Sequence, residues 1–114
     1  MGTYLTAVGE YMMEKLSQLA YIIRSKNAGP FYITLDILFL NNESYQRVKA
    51  SGAITKEAIS RLYRLPEDKI DIYFYDNAAG IKITYPRHAS AGDFDDTDCY
   101  GAQQHAPLLD ILIP

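Results

Sequence analysis

The residues able to do chemistry crowd toward the end of this chain, in the stretch "DTDCYGAQQHAPLLDILIP" from Asp96 to Pro114. It sets two carboxylates, a thiol, a phenol, two amides and an imidazole side by side before turning apolar. Imidazole titrates nearest neutrality, so His105 is the candidate general acid or base, with Asp98 to orient it and Tyr100 beside them. Cys99 and His105 could also form a nucleophilic pair, although no spacing pattern fixes their separation in space. Gln103 and Gln104 offer amides for a carbonyl or carboxylate. The same residue types also serve as ordinary loop residues that satisfy backbone groups before a strand.

A second set is Arg24-Ser25-Lys26-Asn27. Arg24 and Lys26 can hold a carboxylate or phosphate, with Asn27 orienting it and Ser25 adding a hydroxyl. The competing explanation is local, because cations near a helix C-terminus gain about 0.3–1 kcal/mol from the macrodipole. The acidic loop Asp93, Asp95, Asp96 and Asp98 has the density for a divalent cation but lacks the glycine and closing glutamate of an EF-hand. His88, Cys99 and His105 do not have zinc spacing. No metal site and no cofactor is expected.

Several elements must position these groups. Leu5, Val8, Met12, Leu16, Leu19 and Ile23 recur at three- and four-residue steps, which predicts an amphipathic helix over about 4–26. Strand alternation follows over about 31–40, and Asn41 or Asn42 can cap a helix carrying Tyr45 and Val48 that stops near Gly52. Thr55 starts another helix, with Ile54 and Ile59 as a hydrophobic staple. Strands over about 69–75 and 80–86 form a hairpin around Asp76–Gly80. Residues 87–107 form a long loop, the candidate functional loop, and Leu109, Ile111 and Ile113 predict a closing strand over about 108–113.

This order predicts one α+β domain over 1–114. It has a ferredoxin-like, four-stranded, mainly antiparallel sheet with helices on one face, and the N-terminal amphipathic helix replaces the second crossover helix. The opposite face would show Tyr32, Thr34, Asp36, Asp71, Tyr73, Tyr75, Lys82, Thr84 and Asp110. Tyr32, Asp36, Tyr73 and Tyr75 are the candidate interface residues there, since tyrosine joins apolar area to a polar tip.

Composition narrows the classes. Apolar residues make up 48% of 114, enough for one core. No apolar run reaches the ~18 residues of a membrane span, and no signal-like start is evident, so a cytoplasmic protein without a membrane partner is expected. A single cysteine fits a reducing compartment. Residues 88–114 carry five aspartates and no Lys or Arg, while the first 87 residues carry a net +2. That acidic end opposes nucleic-acid binding.

Four segments, "IIRSKNAGPFYITLDILF", "RVKASGAITKEAISRLY", "DIYFYDNAAGIKITYPR" and "DTDCYGAQQHAPLLDILIP", carry a resemblance. Together they resemble a family of small domains of unknown function, usually encoded beside, or fused behind, AtuA-type acyclic terpene utilisation proteins. The resemblance covers about Leu16 to Pro114, and the opening "MGTYLTAVGEYMMEK" matches least. It implies a small α/β domain of ferredoxin-like character, acting with a much larger partner in acyl-CoA or organic-acid catabolism. The characteristic positions are Arg24–Asn27, Gly29, Asp36, Asp96, Asp98, Tyr100, Gly101, Gln103, Gln104, His105 and Pro107, several of them polar where core packing needs no polarity.

Three functions are therefore expected to compete. In the first, the chain is an accessory subunit of a large AtuA-like protein, with Arg24 and Lys26 on a substrate anion and His105, Asp98 and the glutamines lining the pocket or interface. In the second it is a small lyase, hydratase or isomerase using His105. In the third it is a structural homo-oligomer module paired through its tyrosine face.

Overall fold

The computed structural model describes residues 13–87 and 104–114. The chain is α+β, with an open antiparallel sheet of four strands plus helices. The strands are β2 (Ile22–Asn27), β3 (Tyr32–Leu38), β4 (Asp71–Tyr75) and β5 (Gly80–Pro86), in the order β2-β3-β5-β4. A short β1 (Glu14–Lys15) pairs antiparallel with β6 (Leu112–Ile113) in a separate two-stranded sheet. Helices α1 (Leu16–Leu19), α2 (Asn42–Ser51) and α3 (Lys56–Tyr63) complete the regular elements, with 3-10 turns at Glu67–Lys69, Asp76–Ala78 and Ala106–Asp110.

Local chemistry accounts for the helix pair. The Asn41 side chain accepts the Ser44 N–H at 2.8 Å, and Gly52 ends α2 at a φ of 72°. Thr55 accepts the Ala58 N–H at 3.1 Å at the start of α3, and Ile54 and Ile59 both enter the core as the staple requires. Tyr45, Val48 and Ile59 join Ile33, Leu35, Ile37, Ile81, Ile83 and Tyr85 of the sheet in one hydrophobic core.

Two expectations are overturned. Of the helix expected over 4–26, residues 4–12 lie outside the described residues, and only Leu16–Leu19 is helical in the rest. Ile22–Asn27 is instead an edge strand in register with β3, from Ile22 opposite Leu38 to Asn27 opposite Ile33. The three- and four-residue spacing of Leu16, Leu19 and Ile23 is too short a pattern to exclude alternation, and adjacent β-branched Ile22 and Ile23 favour a strand. Asn27–Pro30, just past the end expected for that helix, is a hairpin turn with Gly29 at a φ of 80° and the Ala28 N–H donating to the Tyr32 carbonyl at 2.9 Å.

The closing strand is the second correction. Ala106–Asp110 coils as a 3-10 turn with Pro107 as its second residue, so Leu108 rather than Leu109 is buried, and the strand shrinks to Leu112–Ile113. The edge beside β3 is occupied by β2, and β6 pairs with β1 instead. The buried Leu16, Leu108 and Ile113 nevertheless anchor both terminal segments in the common core.

Candidate functional site

Because a strand alternates sides every residue, Arg24-Ser25-Lys26-Asn27 cannot act as one cluster. The antiparallel register sends Arg24 and Lys26 to the open face and Ser25 and Asn27 to the helix-covered side. Two sites result, one on each side of β2.

On the open face the register builds rows. Arg24, Asp36, Lys82 and Tyr73 form one row across all four strands. Lys26, Thr34, Thr84 and Asp71 form the next, and Ile22, Leu38, Gly80 and Tyr75 the row on the other side. Asp36 is the centre: its side chain is only 10% exposed and accepts from Arg24 Nε at 3.3 Å. A carboxylate withdrawn from water needs such compensation, and Lys82 flanks it on the opposite strand. Neither Lys26 nor Lys82 has an ion-pair partner among the described residues.

Arg24, Lys26 and Lys82, with Asp36 between them, line one end of a depression of about 270 Å³, and Leu38, Tyr75 and Gly80 line the other. Three cations against one carboxylate leave this lining with a net charge of +2. Tyr73 and Tyr75 sit beside it with ring centroids 6.3 Å apart, and Tyr32, Tyr73 and Tyr75 are each about half exposed. Asp110, expected on this face, belongs to the 3-10 turn instead.

On the covered side, His105 meets β2 and Gln104 meets Tyr63 and Tyr85. Ser25 Oγ lies 3.2 Å from His105 Nδ1 and accepts the His105 backbone N–H at 3.1 Å. With its oxygen accepting from the backbone, the hydroxyl proton can go to Nδ1, which places the proton of a neutral imidazole on Nε2. Gln104 is held at two points: its carbonyl accepts the Tyr63 hydroxyl at 2.6 Å, and its side-chain oxygen accepts the Tyr85 hydroxyl at 3.3 Å. The two rings lie 5.1 Å apart, and burial pushes the Tyr63 phenol far above its ordinary value, with the neighbouring Tyr85 adding to the shift. Asn27, two residues from Ser25, bonds the Arg87 guanidinium.

Asp98, Tyr100 and Gln103 lie outside the described residues, so the pairing of Asp98 with His105 does too. The structure thus joins Ser25 with His105 and Gln104, and separates both from Arg24 and Lys26. Lys82, Leu38 and Gly80 were not among the candidate site residues, although the alternation of Lys82 and Thr84 in β5 already put Lys82 on the face of Asp36. Tyr63 and Tyr85 were missed as well, since nothing in their local pattern points to Gln104. Among the described residues there is no group of three or more His, Cys, Asp or Glu placed to hold a metal. Among the same residues no helix is long and apolar enough to cross a membrane.

No curated protein and no solved structure matches the chain. A family does: residues 16–112 match "Domain of unknown function (DUF4387)", and the chain belongs to that family.

Proposed function

We propose that this DUF4387 domain is an accessory subunit or interaction domain of a larger AtuA-like protein in acyl-CoA or organic-acid catabolism, and that it docks through its open sheet face. The observation that carries the reading is the three tyrosines Tyr32, Tyr73 and Tyr75, half exposed around a row of charges on a face with no covering element among the described residues. Half-exposed tyrosines beside cations have the composition of an interface: large area, little entropy to lose, and polar tips that stay satisfied. The AtuA-like partner comes from the resemblance of the quoted segments. A ferredoxin-like character belongs to the same reading, supported by β3 and β4 flanking an antiparallel β5 with a helical connection between them.

Co-expression tests it. The domain and the AtuA-like protein should co-purify, and Tyr73→Asp with Tyr75→Asp should abolish the complex while the domain stays folded. Absence of a complex, together with unchanged partner activity, refutes the proposal. Size measurement of the domain alone covers the homo-oligomer reading: a dimer lost in the same double variant would show the face pairing with itself.

The small-enzyme reading draws on the Ser25–His105 contact. It has less support, because Ser25 is 9% exposed and its oxygen already accepts a backbone N–H. Turnover by the purified chain, lost in His105→Ala, would restore it.

A further inference from the structure

We propose that the depression on the open face binds a small organic acid, its carboxylate among Arg24, Lys26 and Lys82 and its short apolar chain against Leu38 and Tyr75. This rests on the open face being the working surface, but not on the identity of any partner.

The arrangement of rows supplies the two ends. The row holding Arg24 and Lys82 adjoins the row of Leu38, Gly80 and Tyr75, so the charged and apolar walls are one strand step of two residues apart. That step is about 7 Å, the length of a short acyl chain. Asp36 explains why Arg24 is available. It engages Nε at 3.3 Å, while the two terminal amino groups have no partner among the described residues. A guanidinium held at its inner nitrogen keeps a planar pair of donors for a carboxylate.

Gly80 keeps the floor low. A Cβ there would stand 2.9 Å from Leu38 Cδ2, so any larger residue would displace the Leu38 side chain that forms the apolar wall. At about 270 Å³ the space lies just under the usual range of roughly 300–1,000 Å³ for ligand pockets, which suits a short acid and not an enclosed coenzyme. The central Asp36 opposes a compact dianion more than a monoanion, and the apolar wall is wasted on inorganic phosphate. A side-chain carboxylate of a docking protein would likewise leave that wall unfilled.

Titration of the isotope-labelled chain with sodium hexanoate, followed by amide NMR shifts at low salt, decides the matter. Hexanoate should shift residues 24–26, 36–38 and 75–82 saturably, with a millimolar Kd. Lys82→Gln, which removes a half-buried ammonium with no ion-pair partner among the described residues, should weaken binding about tenfold. Acetate should also bind about tenfold more weakly, for want of the buried methylenes. Uncharged hexanamide should not bind. The proposal falls if hexanoate gives no saturable shift or hexanamide matches it. It falls equally if acetate or phosphate binds as tightly, or if Lys82→Gln changes nothing. Hexanoate binding without an AtuA-like complex would leave this site standing and remove the docking proposal; a complex without hexanoate binding would do the reverse.

Discussion

Tyr45 brings a buried ring to the core, and its hydroxyl meets an acidic partner at the edge of that core. The hydroxyl donates to Asp76 Oδ1 at 2.6 Å, and Lys49 Nζ reaches the same oxygen at 2.9 Å. Burial, and then the Asp76 carboxylate, push the Tyr45 phenol up to about 12 from 10.0. A raised value means that its contribution is complete below pH 10 and is lost as the pH rises toward about 12. Asp76 is lowered, first by the Tyr45 hydrogen bond and then by Lys49, so its contribution is complete above the ordinary carboxylate range and is lost as the pH falls through the lowered value. Urea denaturation of Tyr45→Phe should therefore show lower stability at neutral pH. The gap to the unaltered chain should narrow both at strongly acid pH and above pH 10, whereas a gap independent of pH would exclude this pair as its source. At Ser25, the change to Ala leaves the His105 N–H and Nδ1 without their partner and should cost about 1–2 kcal/mol in the same measurement.

Among the elements, the turn joining β4 to β5 divides two tasks that a sequence reader gives to one glycine. The left-handed position falls at Ala79, with a φ of 47°, while Gly80 serves the close approach to Leu38. Ala79→Gly should raise stability by about 0.5–1 kcal/mol, read as a higher thermal midpoint. The α2–α3 pair was legible because Asn41, Gly52 and Thr55 act within one turn of themselves, and local signals survive in a sequence. The β4–β5 hairpin was legible from alternation that needs no distant partner. Residues 22–27 were not, since a short apolar spacing fits helix or strand until β3 lies beside it. The separation of Arg24 from Ser25 follows from that one error: on a helix end they would share a neighbourhood, and on a strand they face opposite ways. The closing segment failed for a related reason, because Pro107 sits second in a 3-10 turn that shifts which leucine points inward.

For the whole molecule, Arg47 on α2 joins the two ends. It donates to Glu14 at 2.7 Å, to the Pro114 carbonyl at 3.0 Å and to the Ile113 carbonyl at 3.5 Å. Its side chain is about one-third exposed, so solvent weakens the ion pair, and Arg47→Ala should cost only about 1 kcal/mol. The sharper sign would be faster amide exchange at Lys15, Leu112 and Ile113, with α3 unaffected. The two bonds at Asn27 and Ser25 carry a different consequence. Arg87, where the chain leaves β5, is fastened to Asn27, and His105, where it returns, is fastened to Ser25 two residues away. Their two partners on β2 lie two residues apart, about 7 Å along a single strand. One edge strand therefore holds both points, so a change that frays β2 loosens Arg87 and His105 together. The strand least legible in the sequence is thus the clasp on which both points close.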